Sequence, residues 1–323
     1  MSEYAPIAVR GIYRSSSHLP IWEVINEAGI WQQVGIQLES FDYCDSSAVA
    51  EAALLAGDID FISGNHITPY TIFARGQHIV HLTSPTNSVH DSLASPEPLG
   101  SLLELRGRRL GDTAAYGPRG GYAHNRGNHM LYVLRAGLEL IDVEWVELAD
   151  QMGDEFRQEQ LSALLDGRID ATFVTGGTER FEQAGVHLLR PDPLPMINGP
   201  TATTTTDRLR RDDQFGERLV KAQVLAIHYT NSRREETDRI LASLASRRGD
   251  ARAYTADRVA RMSRKPYPDL QGIANAYKLA CLLETDAQSI SPLALWDLHY
   301  LRQLDDSGYI DALYVQPVEI ASR

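Results

Sequence analysis

Leu54-Leu55-Ala56-Gly57-Asp58-Ile59-Asp60 recurs as Leu164-Leu165-Asp166-Gly167-Arg168-Ile169-Asp170. Each copy reads as the end of an amphipathic helix, a glycine stop, and the start of a short buried strand. A small-residue turn follows in both cases, Ser63-Gly64 after the first copy and Thr175-Gly176-Gly177 after the second. One such stop carries little weight, because glycine caps are common. Two matching copies, each inside its own series of alternating strands and helices, predict an α/β chain with two lobes of one design.

The first series starts with a strand at 7–13, followed by a helix opened by Pro20 and closed by Gly29. A strand at 34–41 comes next, then a helix over 48–56 capped by Asp45 or Ser46. Strands at 59–62 and 79–82 flank a helix at 67–75. The second series begins after Pro96 and Pro98 with a strand at 109–113 and the turn Gly117-Pro118-Arg119-Gly120-Gly121. A helix with Met130, Val133 and Leu134 stops at Gly137. Strands at 143–148, 169–174 and 186–189 alternate with helices at 156–165 and 180–184. Strands joined by helices in this way imply parallel βαβ units. From Gln214 onward the chain reads as helical, with Ser291-Pro292 as the N-cap and first position of a last helix and Gly308 as its stop.

The chain has 323 residues, enough for two domains and for a core that needs no staples. Its formal net charge is -12, from 43 acidic and 31 basic residues. Such a surface repels phosphate backbones, so a nucleic-acid partner is not expected. Cys44 and Cys281 are the only cysteines; they cannot build a disulfide framework or a cysteine metal cluster, and two reduced thiols are expected. No apolar run reaches the ~18 residues of a membrane span, so no membrane insertion is expected. The opening MSEYAPIAVRGIY has no basic n-region and no apolar h-region, which reads as a cytoplasmic protein.

Four stretches together resemble the type II periplasmic-binding-protein fold, in its sulfonate-binding, NMT1/THI5-like branch. They are Gly29-Ile30-Trp31 with Gly35-Ile36-Gln37-Leu38, Ser101-Leu102 with Leu105-Arg106-Gly107-Arg108-Arg109-Leu110-Gly111, the repeated helix-stop-strand motif, and Leu298, Leu301, Leu304 and Gly308-Tyr309-Ile310 in the tail. The resemblance implies a split first lobe, residues 1–92 plus 205–323 with a helical C-terminal segment, around a second lobe of 93–204. It also implies a ligand cleft between the lobes, in line with the rule that ligands of open parallel sheets sit beyond the carboxyl ends of the strands.

The strand-end loops hold the side chains suited to such a ligand. In the first lobe these are Tyr13, Ser16, Asn65, Thr83 and Ser84, with His66 and His18 as candidate catalytic residues, since histidine is the side chain best poised for proton transfer near neutral pH. A lone histidine is more often a hydrogen-bonding structural residue, and that reading stays open. In the second lobe they are Tyr116, Arg119, Gly120, Gly121, Tyr122, Thr175, Gly176 and Asn198. The turn 117–121 leads into a helix, where unpaired N–H groups and the helix dipole favour an anion, and Arg119 adds a two-donor fork. The other reading of Arg119 is a solvated side chain on an exposed turn. No Gly-Lys-Ser/Thr follows, so the turn is not a P-loop. His124 and His129 stand five apart, not the same-face pair of a metal site, and His-Glu-x-x-His is absent; neither a metal nor a cofactor is expected. Cys44 reads as a small buried thiol rather than a nucleophile.

The resembled family includes solute receptors of ABC importers and cytosolic enzymes. Its desulfinase has a nucleophilic cysteine where Ser15-Ser16-Ser17 stands here. Its pyrimidine synthase has a cysteine-rich cluster and a lysine where Gly64-Asn65-His66 stands here. The expected function is a cytosolic enzyme, of lyase or hydrolase class, that binds a small anionic, aromatic organic ligand; a metal-free lyase of decarboxylase or desulfinase type is the leading form. The alternatives are an importer's substrate-binding protein, whose partner would be the importer permease, and a cytosolic ligand sensor.

Overall fold

A computed structural model describes residues 5–114, 124–148, 154–248 and 254–315. The chain forms two compact units, Met1–Asn87 with Ile197–Arg323, and Ser88–Met196. In the first unit lie β1 (Ile7–Tyr13), β2 (Ile36–Tyr43), β3 (Phe61–Ser63) and β4 (Ile79–His81). The chain leaves through β5 (Thr86–Val89). The second unit holds β6 (Ser92–Ser95), β7 (Arg109–Asp112), β8 (Glu144–Glu147), β9 (Ala171–Val174) and β10 (His187–Leu189). It returns through β11 (Leu194–Asn198), which pairs with β5, and then makes β12 (Ala202–Thr205) in the first unit.

The first sheet has the order β2-β1-β3-β12-β4, and the second, read from its β8 edge, has β8-β7-β9-β6-β10. Their strand directions match. β1 is parallel to β2 and β3, and β7 is parallel to β8 and β9. The fourth strand of each, β12 or β6, is antiparallel to its neighbours. Each unit thus takes its antiparallel strand from the segment that has just crossed.

This corrects the reading of all-parallel units and moves both lobe boundaries. Residues 88–92 belong with the second unit, and 197–204, expected in the second lobe, belong with the first. The physical reason is β12. Ala202-Thr203-Thr204-Thr205 pairs with both β3 and β4 and fills the gap between them, so the crossing must already be complete.

Both copies of the repeat fold alike. Gly57 (φ 79°) and Gly167 (φ 68°) adopt the left-handed conformation that a helix C-terminus needs and that a side chain resists. In the first copy Gly57 N–H donates to Leu54 O and Asp58 N–H to Ala53 O; in the second, Gly167 N–H donates to Leu164 O and Arg168 N–H to Ala163 O. The closing aspartates act alike too. Asp60 accepts the Arg10 backbone N–H at 2.8 Å, and the Arg10 side chain reaches Gly57 O at 2.9 Å. Asp170 accepts the Arg109 backbone N–H at 2.8 Å, and Arg109 reaches Gly167 O at 2.8 Å. One aspartate therefore ties the repeat's strand to its parallel neighbour, while the arginine of that neighbour caps the preceding helix.

Alternation along β3 separates two cores of the first unit. Phe61 faces the larger one, with Trp22, Trp31, Phe215, Leu219 and Leu301. Ile62 faces the smaller one, with Ala50, Leu54 and Ile79. The long helix Asp213–Ser232 and the helix His299–Asp306 contribute to the larger core, which is how the C-terminal segment attaches to this unit. The expected helix start at Ser291-Pro292 does not form. His81 N–H donates to Leu295 O at 2.6 Å and Asp297 N–H to His81 O at 3.0 Å, so this stretch runs along the edge of β4 and the helix begins only at His299. The second unit has its own core of Ala94, Leu148, Phe156, Leu164, Val174 and Phe181. No helix among the described residues is long and apolar enough to cross a membrane.

Candidate functional site

In the first unit, the carboxyl end of β1 runs into a single 3-10 turn, Ser16–His18, whose start is capped by Ser15: its Oγ accepts the Ser17 N–H at 3.2 Å. The turn carries His18 back over the end of β3, where its Nδ1–H donates to Ser63 O at 2.9 Å. A carbonyl can only accept, so Nδ1 holds the proton of this bond. Gly64 lies against this ring. Its φ is 101°, and a Cβ there would sit 2.5 Å from His18 Cε1, so the close approach of ring and backbone needs glycine.

Asn65 follows at φ 69°, the one non-glycine residue with positive φ among the described residues, and asparagine tolerates this conformation better than most side chains. Its Nδ2 donates to Glu51 Oε1 at 2.9 Å, and its Oδ1 lies 3.1 Å from Thr68 Oγ1. His66 comes next, 7% exposed, with its ring centroid 6.4 Å from that of His18. The turn is anchored from behind. Gly64 N–H donates to Thr201 O at 2.8 Å, and Gly64 O accepts from Thr203 Oγ1 at 2.9 Å. That hydroxyl in turn accepts the Nδ1–H of His81 at 2.9 Å. Burial pushes His81 down to about 3, so it stays neutral.

The structure therefore brings His18, His66 and Asn65 together and assigns the other expected residues smaller or different parts. Tyr13 is 3% exposed and packs on Phe41 and Tyr43 with centroids 5.1 and 5.5 Å away. Thr83 is fully buried, donating to Gln223 Oε1 at 2.5 Å, and buried Ser84 donates to Asn87 Oδ1 at 2.8 Å. Ser16 is exposed on the turn, and Asn198 Oδ1 accepts the N–H of Gly199 at 2.8 Å. Arg14 sits at the same strand end, reaching Cys44 O and, at 2.9 Å, Ser47 Oγ. Cys44 is a free thiol whose Sγ lies 3.3 Å from Ser46 O.

In the second unit, Asp112 ends β7 and His129 comes from the helix His124–Arg135. His129 Nδ1–H donates to Asp112 Oδ2 at 2.7 Å, and its Nε2 lies 3.6 Å from Asp91 Oδ2. Asp91 Oδ1 accepts from Thr175 Oγ1 at 2.6 Å, and Asp112 Oδ1 accepts the Thr113 N–H at 2.7 Å. The His129 ring stacks on Phe173 at 4.7 Å. Arg126 lies 3.9 Å from Asp112 Oδ2 and over the ring of Trp145 at 3.7 Å. Burial alone would lower His129. The charges and hydrogen bonds of Asp112 and Asp91 outweigh it and push the imidazole up to about 9, so it is a cation at neutral pH. Two buried carboxylates, one imidazolium and one guanidinium then compensate one another.

Of the residues expected here, Thr175 and Gly176 lie at the end of β9, with Thr175 bound to Asp91. Tyr116, Arg119, Gly120, Gly121 and Tyr122 lie outside the described residues, as does the side chain of His124. Among the described residues no group of three or more His, Cys, Asp or Glu could hold a metal ion.

Sequence reading missed Glu51, Thr68, Asp91, Asp112 and the role of His129. Glu51 had a signal. It lies between Ala50 and Leu54 on the buried stripe of the helix Ser47–Ala56, and a buried acid there needs partners. Asp112, at the end of the buried run Leu110-Gly111-Asp112, had the same kind of signal.

No family model matches the chain and no curated protein matches it in sequence. Solved structures do match in fold. The periplasmic sulfonate-binding protein SsuA of a putative sulfonate ABC transporter from Methylobacillus flagellatus KT superposes with TM-score 0.67 at 14% identity, covering 98% of this chain and 99% of that one. The periplasmic aliphatic sulphonate binding protein SsuA from Escherichia coli matches with TM-score 0.62 at 16% identity, over 90% of this chain and 99% of its own. The desulfurization enzyme DszB, solved in complex with biphenyl-2-sulfinic acid, matches with TM-score 0.55 at 17% identity, over 92% of this chain and 99% of its own. Identities this low speak for the fold, and by it the chain is a periplasmic-binding-protein-fold protein, built like those sulfonate-binding proteins and that desulfurization enzyme.

Proposed function

We propose that this protein binds a small organic acid of the sulfonate, sulfinate or carboxylate class and acts on it as a metal-free lyase. The observation that carries the reading is the pair His18 and His66 at the carboxyl ends of β1 and β3, with Nδ1 of His18 fixed on Ser63 O. In a fold whose solved neighbours are described as binding sulfonates and a sulfinic acid, two imidazoles at this place suit an anionic ligand and a proton transfer. In the lyase reaction the bond from carbon to the acid group breaks with its electron pair left on carbon, the acid group leaves as CO2 from a carboxylate, SO2 from a sulfinate or SO3 (hydrated by water to sulfate) from a sulfonate, and His18 or His66 supplies the proton that carbon takes up. From the sequence alone, Arg119 is a further candidate for contact with an acid group.

The second reading is a receptor that binds and releases its ligand unchanged, and the sulfonate-binding neighbours favour it. One experiment separates the two. Benzenesulfonate, benzenesulfinate and benzoate are titrated calorimetrically, and each mixture is then followed by proton NMR. Binding with appearance of benzene supports the lyase; binding with no product over hours supports the receptor. No heat with any acid class sinks both. His66→Ala should abolish product while retaining part of the binding, and Arg119→Ala should weaken binding about ten- to a hundredfold, each ~1.4 kcal/mol being tenfold. A cytoplasmic location belongs to the lyase proposal, and fractionation of cells carrying the natural gene tests it.

A further inference from the structure

We propose that Glu51 is a positioning residue of the first unit's strand-end site, and that it acts as the neutral carboxylic acid, closing a ring of three hydrogen bonds with Thr68 and Asn65. The ring rests on three contacts. Asn65 Nδ2 lies 2.9 Å from Glu51 Oε1, Thr68 Oγ1 lies 2.5 Å from the same oxygen, and Thr68 Oγ1 lies 3.1 Å from Asn65 Oδ1. Each contact needs a proton. The amide supplies one and the threonine hydroxyl has only one. With Glu51 ionised, the hydroxyl proton goes to the carboxylate, and Thr68 Oγ1 faces Asn65 Oδ1 with no proton between them. With a proton on Glu51 Oε1 the ring closes in one direction: Glu51 donates to Thr68, Thr68 to Asn65, and Asn65 to Glu51.

Turning the Asn65 amide over does not remove the requirement. Nδ2 then donates to Thr68, Thr68 donates to Glu51, and Glu51 must donate to Asn65 Oδ1. Either way the third proton comes from Glu51. Its surroundings agree. Glu51 is 4% exposed, and burial raises its carboxyl above the ordinary range, against its hydrogen bonds with Thr68 and Asn65 and the charge of Arg14. Arg14 is the charged group that bears on it, and its guanidinium is directed to Cys44 O and Ser47 Oγ.

The ring holds both polar atoms of the side chain whose backbone takes the left-handed conformation between Gly64 and His66. Glu51 thereby acts on His66 through Asn65. A carboxyl raised in the folded chain contributes stability that is fully present below its unfolded value of ~4.3 and is lost as pH rises through the raised value. Loss of the proton should loosen the His66 turn in that window.

The positioning role rests on the reading that this strand end binds an organic acid; the proton on Glu51 does not. The test uses the full chain and begins with infrared difference spectra of wild type against Glu51→Gln at pH 7. The expected result is the carbonyl absorption of a protonated carboxylic acid, shifted in D2O and absent from the variant. Absence of that band in wild type, or its persistence in Glu51→Gln, overturns the proposal. The second readout is the His66 ring signals in NMR, without ligand. They should move in Glu51→Ala and return in Glu51→Gln, whose amide can donate in place of the acid. If they move equally in both variants, Glu51 does not position His66. The third is affinity for benzenesulfonate, expected to fall about tenfold in Glu51→Ala and to recover to within about threefold of wild type in Glu51→Gln. The pH dependence over the range where the infrared band titrates should vanish in Glu51→Gln. If wild type binds no acid, the functional reading fails while the infrared and NMR arms still decide the fate of Glu51.

Discussion

His81 in the first unit and His129 in the second are both buried, one 0% and the other 2% exposed. They are driven in opposite directions, to about 3 and to about 9. The difference lies in what each strand end offers. His81 faces the hydroxyl of Thr203 and the ring of Trp296, groups that cannot offset the cost of burying a charge. His129 stands between Asp112 and Asp91, whose charges and hydrogen bonds outweigh the cost of burying its own charge. The same sheet order thus carries two kinds of interior. At its strand ends the first unit uses neutral hydrogen-bond chains, such as His81 to Thr203 to Gly64 O and the Glu51 ring. The second uses charge compensation.

The largest effect expected from this comparison comes from removing the imidazolium. His129→Leu leaves Asp91 and Asp112 buried without the cation between them and should cost the second unit ~3–5 kcal/mol. His81→Leu removes only a neutral bond to Thr203 and should cost ~1–2 kcal/mol. Hydrogen exchange measured strand by strand checks this, with β7 and β9 losing protection in the first variant and the first unit keeping its own. Equal losses in the two variants would break the comparison. The sign of the pH dependence follows as well. His129 has a folded value above its unfolded one, so its contribution is complete below ~6.5 and is lost as pH rises through about 9. Denaturant unfolding at pH 6, 8 and 10 should show this alkaline loss in wild type and its absence in His129→Leu.

The next effect belongs to the glycines. Gly64→Ala combines a left-handed backbone with a Cβ 2.5 Å from His18 Cε1, and should cost ~2–4 kcal/mol while displacing the His18 ring. At Gly57 the nearest atom to an added Cβ is Arg211 Nη2 at 3.9 Å, so Gly57→Ala should cost only the backbone share, ~1 kcal/mol. Thermal unfolding of both, with NMR of the His18 ring, measures the gap between them. A matching pair of values would mean that His18 does not rest on Gly64.

The smallest effect distinguishes the two copies of the repeat. Asp60 has a second arginine, Arg208, at 2.6 Å, with side chains 10% and 14% exposed, and Arg208→Met should cost ~1.5–3 kcal/mol. Asp170 pairs with Arg109 at 2.6 Å, with side chains 38% and 31% exposed, so Arg109→Met should lower Tm by no more than ~2 °C. Arg109 also holds the Asp170 carboxyl below its ordinary range. That contribution is present above ~3.9 and is lost as pH falls through the lowered value, so the variant should differ from wild type less at pH 2 than at pH 6.

Much of the fold was legible because it is written locally. β1 spans Ile7–Tyr13 as its composition suggests, Ser46 caps the helix Ser47–Ala56 through Val49 N–H, and Gly308 ends the helix before it at φ 74°. β6 and β12 were not legible. Four-residue strands of Ser, Ala, Leu and Thr show little periodicity, and their pairing depends on which sheet has an unfilled gap. Ser291-Pro292 carried a proper helix-start signal that lost to the backbone bonds along β4. At the site, His18, Asn65 and His66 stood out because they follow strands. Glu51 and Asp112 carried only the signal of an acid in a buried run, and the partner that gives each its role comes from another element.

The sequence by itself determined the duplication, the helix stops at Gly57 and Gly167, and the strand ends where polar side chains gather. Those features depend on residues a few positions apart, where backbone preference and capping act. Only the tertiary structure decided the antiparallel strand in each sheet, the points at which the chain changes unit, and the protonation of the buried groups. Those depend on distance rather than on sequence position. A carboxylate 2.7 Å from His129 Nδ1 makes it a cation, and the absence of one beside His81 keeps that ring neutral; nothing near either histidine in the chain distinguishes them.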